Sequence, residues 1–292
     1  MSDQSRRVQL GNDGFEAARG AVRDGLAAQQ NLEHLLRSPR IGPRALAKVV
    51  DQLRPGCAPL TEALELLLQK LAARVTDAAV TTSLRTFMVG RTQRLEQALQ
   101  SAAESDMGAK ARLRLEAEVG RVRPELAAVG ELVDLLDAAA TCSPTELDVN
   151  ALTAEAVAKL APARRDAQSL VRVVVMPAPD RPTLLADPRV VMPLIAIMLG
   201  FLALDGATTA QLLVAVDPVA GARLNLRAGA NNCAAYTPCA PPRIIAPTLG
   251  VAGYAAACLG ATLECDRADA VLVLPPGQVL HTADRTSSGI AG

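Results

Sequence analysis

LLADPRVVMPLIAIMLGFLALD, residues 184–205, is the stretch on which the fold class turns. Asp187 reads as a helix N-cap, with the helix starting at about Pro188. From Val190 to Leu204 the run is apolar, Pro193 included, and it stops at Asp205. A membrane span needs roughly 20 residues. This shorter run reads instead as a buried helix of a globular core.

Strand signals lie on both sides of it. Val171 to Val175 precedes it, before a Pro-rich loop from Pro177 to Pro182. Gln211–Val216 and Ala222–Arg227 follow, joined by a turn from Asp217 to Gly221. Ala228 to Pro247 reads as a loop. A helix is expected over Leu249–Leu259, then strands over Thr262–Cys265 and Ala270–Leu274. A further helix ends near Leu160, after Leu147-Asp148-Val149-Asn150. Short Val- and Leu-rich runs punctuated by Pro and Gly are the pattern of a mixed α/β domain.

Before about residue 145 the composition changes to Leu, Ala, Arg, Glu and Gln, which are helix formers. Helices are expected over Asp13–Leu36 and Pro43–Leu53, and from Pro59 to about Ala103. A turn at Ser105–Gly108 leads to the next helix. Its Leu115, Val119, Val122, Leu126, Val129, Val133 and Leu136 alternate steps of four and three, a heptad stripe. Pro124 should kink or break that helix. The stripe is buried either by a second copy, completing a dimeric four-helix bundle or coiled coil, or by the first helix of the same chain.

The chain has 292 residues, enough for two domains. Lys plus Arg and Asp plus Glu are 30 each, which argues against a nucleic-acid partner bound through its phosphates. With no Trp, two Tyr and three Phe, base-stacking platforms are not expected. Two histidines, His34 and His281, cannot build a multi-His metal site, and no metal or other cofactor is expected. None of Cys57, Cys142, Cys233, Cys239, Cys258 and Cys265 forms a C-x-x-C pair. With a polar start and no signal peptide, they read as reduced thiols of a cytoplasmic protein without membrane insertion.

The order of parts resembles the core of a two-component sensor histidine kinase. In that family a helical hairpin for dimerisation and phosphoacceptance precedes an ATP-binding domain of the gyrase, chaperone, kinase and mismatch-repair (GHKL, Bergerat) superfamily. Four stretches carry the likeness, which covers about residues 57–277. Leu132–Asp137 with Leu147–Leu152 is similar to the end of the hairpin and the start of the ATP-binding domain. Ala186-Asp187-Pro188-Arg189 resembles the start of the Asn-box helix. Thr248–Ala252 to Leu259–Glu264 resembles the second Gly-rich box, and Ala270–Pro275 the last strand. The implied fold class is α + α/β: an N-terminal helical segment (1–56), an antiparallel hairpin (57–145), a GHKL-like sandwich (146–277) and a disordered tail (278–292).

The resemblance implies residues that this chain replaces. The two Asn-box positions fall at Ile197 and Phe201, which have no metal-ligating oxygen. The D-x-G-x-G loop that should follow Arg227 reads Ala228-Gly229-Ala230-Asn231-Asn232-Cys233, without an Asp. The second Gly box keeps only Gly250 and Gly253. ATP binding and autokinase activity are therefore not expected.

The family's phosphoacceptor motif, H-E-L-R-T-P, has two partial matches. Thr82-Ser83-Leu84-Arg85-Thr86-Phe87 keeps Leu-Arg-Thr but puts Thr82 where the His belongs. His34-Leu35-Leu36-Arg37-Ser38-Pro39 keeps the His and the Pro but has Leu35 in place of the acid. By default His34 is a surface or helix-end residue.

These readings give competing expectations. One is a degenerate kinase-like protein, a pseudokinase or scaffold, that works through a homodimer and binds a response-regulator receiver domain or a sensor kinase. Another is a histidine phosphotransferase relaying phosphate through His34. A third is a helical interaction protein with an unrelated α/β domain. Arg91, Arg94, Arg112, Arg114, Arg121 and Arg123 alternate with Glu96, Glu116 and Glu118. They read as a solvated helix surface or as a docking face for an acidic receiver domain. Asp266 and Asp269 read as solvated turn residues. No nucleophile elbow, Walker loop or zincin motif is present.

Overall fold

A computed structural model of the chain describes residues 3–38, 42, 44, 48, 50–51, 65, 69, 78–104, 109–161, 170–179, 182–217, 219–229, 236–245 and 247–280. The chain is mixed helix and sheet. It divides into a helical unit, Met1–Asp137 with Ile245–Pro247, and a sheet unit, Ala138–Ile244 with Thr248–Gly292.

In the helical unit, α1 spans Asp3–Arg37, α2 Ala78–Glu104 and α3 Ala109–Ala140. The start expected near Pro59 and the Ser105–Gly108 turn fall outside the described residues, but Glu65 and Gln69 are helical. So are Arg44, Lys48, Val50 and Asp51, inside the helix expected over Pro43–Leu53. Of the kink or break expected at Pro124, the break does not occur: α3 runs on through it.

Every residue of the heptad stripe, Leu115 through Leu136, is buried. Ala128, Leu132 and Leu135 are buried too, so α3 is covered over a wider arc than a two-helix seam would need. Helix α1 contributes Phe15, Ala18, Val22, Gln29, Leu32 and Leu36, again at steps of three, four and seven. The two run antiparallel. Arg19 reaches Asp134 and Asp137 at 2.5 and 2.6 Å. Val22 lies against Gly130, and Arg123 bonds Glu33 at 2.6 Å. At the far end the Arg112 guanidinium donates to the Leu36 and Ser38 carbonyls, satisfying the bare C-terminus of α1. The stripe is thus buried within one chain, by the second of the two routes open to it, and needs no second copy to cover it.

The sheet unit begins with β1 (Thr145–Asp148) and α4 (Val149–Lys159). Then come β2 (Val171–Met176), β3 (Thr183–Ala186) and α5 (Pro188–Leu204). The hairpin β4 (Thr209–Asp217) and β5 (Gly221–Ala228) follows, with Gly221 at φ +92° in its turn. After β6 (Thr237–Cys239) come α6 (Thr248–Cys258), β7 (Thr262–Asp266), β8 (Asp269–Leu274) and β9 (Val279–Leu280).

The large sheet has the order β6-β2-β4-β5-β8-β7. Strands β2 and β4 are parallel and the other neighbours antiparallel. A small sheet, β1-β3-β9, is antiparallel. On the large sheet one face is apolar and sealed: Val171 and Val173, Ala210 and Leu212, Leu224 and Leu226, and Leu272 and Leu274 are all buried. Helices α4 and α6 each pack against α5, which lies between them, and the three cover that face. Val190, Val191, Leu194, Ile195, Met198, Leu199 and Leu202 of α5 have no exposed surface. Each such side chain contributes about 1.5–3 kcal/mol by leaving water.

Two expectations for this half need correction. The segment 228–247 is not all loop, because Thr237–Cys239 adds a strand to the β2 edge. The residues after Gly277 do not all belong to a disordered tail either. Val279 and Leu280 pair with β3, and Val279 is buried. Both strands were too short to show a period.

Candidate functional site

The start of α5 is built as expected and then reinforced. Asp187 is 1% exposed and its side chain caps α5 by accepting from the Arg189 N–H at 2.9 Å. It also accepts from the Ser143 N–H at 2.9 Å and from the Arg189 guanidinium at 2.7 and 3.1 Å. Burial alone would raise its pKa. The Arg189 guanidinium and the two backbone N–H groups outweigh that and hold the carboxyl below its ordinary range. Arg189 also donates to the Thr141 carbonyl at 3.2 Å, so the chain leaving α3 is tied to the start of α5. Asn150 does the same for the loop after β2, giving and receiving one bond with Ala178 at 2.8 and 2.9 Å.

Ile197 and Phe201 lie on α5. Ile197 is buried and Phe201 half-buried. Between them in sequence, Gly200 lies close against another segment of the chain. A Cβ there would fall 2.6 Å from the Pro242 carbonyl oxygen and 2.9 Å from the Ile244 side chain. Glycine inside a helix costs about 0.5–1 kcal/mol relative to alanine, so a reason for it is needed, and the packed chain supplies one.

That chain is the segment after β5. It is pinned by β6 on β2, and by the Ala240 N–H on the Leu160 carbonyl at 2.7 Å. It is pinned again by Cys239, fully buried, whose thiol donates to the Val157 carbonyl at 3.5 Å. Burial pushes the Cys239 thiol up to about 11, which makes it an inert packing group. Gly250 and Gly253 fall inside helix α6, both half-buried, and a Cβ at Gly253 would meet nothing within 4 Å. Gly253 is therefore not required by a close backbone approach there.

His34 and Thr82 belong to the helical unit. His34 is exposed on the last turn of α1. Its neighbour Glu33 is held by Arg37 at 2.5 Å and by Arg123 at 2.6 Å. Thr82 is exposed near the start of α2, and Arg85 one turn on pairs with Glu65 at 3.6 Å. Of the arginines read as a surface array, Arg112 and Arg123 turn inward to tie α3 to α1. Arg94, Arg114 and Arg121 remain exposed, with Arg121 on Glu118 at 3.1 Å.

Among the described residues Cys142, Cys239, Cys258 and Cys265 are free thiols. Among them, too, no group of three or more His, Cys, Asp or Glu is placed to hold a metal ion. No helix among them is long and apolar enough to cross a membrane. Asp266 and Asp269 pair across the β7–β8 turn, and Asp269 meets Arg227 at 3.3 Å.

Gly200, Pro242 and Ile244 escaped sequence reading. The available signal was a glycine inside an otherwise apolar helix, which marks close packing, but nothing in the sequence names its partner. The chain matches no protein-family model and no curated protein.

Proposed function

We propose that this chain is a signalling scaffold with a degenerate histidine-kinase-like core. It binds no ATP and acts through protein–protein contact with a response-regulator receiver domain or a sensor kinase in a two-component pathway. The observation that carries the reading is the state of α5. Where a nucleotide-binding relative would present its Asn box, this helix has a buried Ile197 and a half-buried Phe201. Between them the chain at Pro242–Ile244 packs directly on Gly200. A mixed sheet with three helices on one face supports the likeness on which the reading rests.

Calorimetry of the full-length protein with Mg-ATP and with ADP tests this. No heat of binding is expected for either nucleotide up to millimolar concentration. Micromolar binding of Mg-ATP would sink the proposal. The exposed arginines Arg94, Arg114 and Arg121 are the part of the basic surface open to an acidic receiver domain.

A second reading, phosphotransfer through His34, is favoured by one observation. His34 stands exposed on a helix end beside Glu33, which gathers Arg37 and Arg123 around it. Incubation with a phosphorylated receiver domain would then give an acid-labile phosphoprotein, and His34→Ala would abolish it. Undiminished labelling of that variant would rule the relay out.

A further inference from the structure

We infer that residues Thr237–Ile244 form a lid locked shut on α5, with Gly200 as its seat. The lock rests on the nucleotide-free reading of the same helix and adds what holds that surface closed. Four contacts fasten the segment along its length. Thr237–Cys239 pairs with the edge of β2, and Cys239 is fully buried with its thiol on the Val157 carbonyl. The Ala240 N–H bonds the Leu160 carbonyl at the end of α4. Pro242 and Ile244 then reach α5 at Gly200.

The chemistry of the segment suits a fixed strap. Pro241 and Pro242 are consecutive, so their φ angles are set before docking and less chain entropy is lost on closure. The contact at Gly200 admits no side chain. A Cβ would lie 2.6 Å from a backbone oxygen, which cannot swing aside as a side-chain end can. Alanine at 200 must therefore lift the strap or shift the helix.

Arg243 lies exposed within the strap and reports on its release. Limited trypsin digestion of the full-length protein, read by mass spectrometry, compares cleavage after Arg243 with cleavage after Arg223 and Arg227 in β5. Proteolysis of a folded chain follows the population of the locally open form. In the natural sequence Arg243 should resist cleavage despite its exposure. Gly200→Ala should speed cleavage there by roughly tenfold or more, with Arg223 and Arg227 unchanged and the helical circular dichroism retained.

If Gly200→Ala does not fold, Ile244→Ala removes the apolar end of the contact without adding bulk to the helix, and is read in the same way. Equal cleavage after Arg243 in variant and natural protein overturns the lock. So does a rise shared equally by all three sites, which would make Gly200 a general stability position. Mg-ATP binding by the natural protein would end the nucleotide-free reading while leaving the digestion result, and the strap it measures, intact.

Discussion

Asp187 shows how much one side chain can be asked to hold. It caps α5, fixes Arg189 and receives the Ser143 N–H, all with 1% of its surface in water. Asp187→Ala removes a cap and leaves those donors without their acceptor. The expected loss is about 2–4 kcal/mol in urea unfolding, with Asp187→Asn losing less because it keeps a capping oxygen. The pH dependence follows from the lowered pKa. Its contribution is complete above the ordinary carboxyl value of 3.8 and disappears as pH falls through the lower folded value. The difference in stability between the natural protein and Asp187→Asn should therefore be flat from pH 5 to 8 and shrink below pH 4. A difference that grew on acidification would contradict this account. The cap was legible because Asp before Pro at the head of an apolar run is a local signal. The bonds to Ser143 and Thr141 were not, because they join residues more than forty positions apart.

At the scale of the element, α3 was the most legible part of the chain. The heptad stripe from Leu115 to Leu136 is buried residue for residue. Pro124 was expected to kink or break the helix; the break does not occur, and packing against α1 offsets the backbone hydrogen bond that proline cannot make. The α1 seam contains a misfit of another kind. Gln29 is 3% exposed, and among the described residues neither its amide nitrogen nor its carbonyl oxygen has a hydrogen-bond partner. Burying such a group without a partner costs about 1–3 kcal/mol. Gln29→Leu should accordingly raise stability by about 1–2 kcal/mol, measured as a higher urea midpoint with unchanged slope. A lower midpoint would mean that the amide is satisfied in solution by bound water. Strands β1, β3, β6 and β9 stayed out of reach of the sequence because two to four residues cannot display a period. The longer strands β2, β4, β5, β7 and β8 were all visible.

For the whole molecule, the change of composition near residue 145 falls close to the division between the helical and sheet units at Asp137 and Ala138. Order along the chain was thus readable, whereas the pairing of α1 with α3 depended on arginines whose direction no periodicity reveals. The candidate site followed the same pattern. Ile197 and Phe201 could be placed on α5 from sequence, but the strap that meets the helix at Gly200 could not. The small sheet β1-β3-β9 yields a prediction at this scale. A chain ending at Leu280 retains β9, while one ending at Gly277 loses it and uncovers Leu184, which is otherwise fully buried. The shorter chain should unfold at lower temperature than the longer one, by about 2–4 °C per kcal/mol lost. Equal melting would show β9 to be dispensable.

The position of β9 also has a consequence for synthesis. Its partner β3 ends at Ala186, yet β9 is encoded at Val279–Leu280, more than ninety residues later. A growing chain leaves the ribosome from its N-terminus, so α1 can meet α3 while the sheet unit is still being translated. The small sheet has to wait until β9 has been made. For that interval Leu184 stands open to water, and the arrival of Val279 and Leu280 ends the exposure.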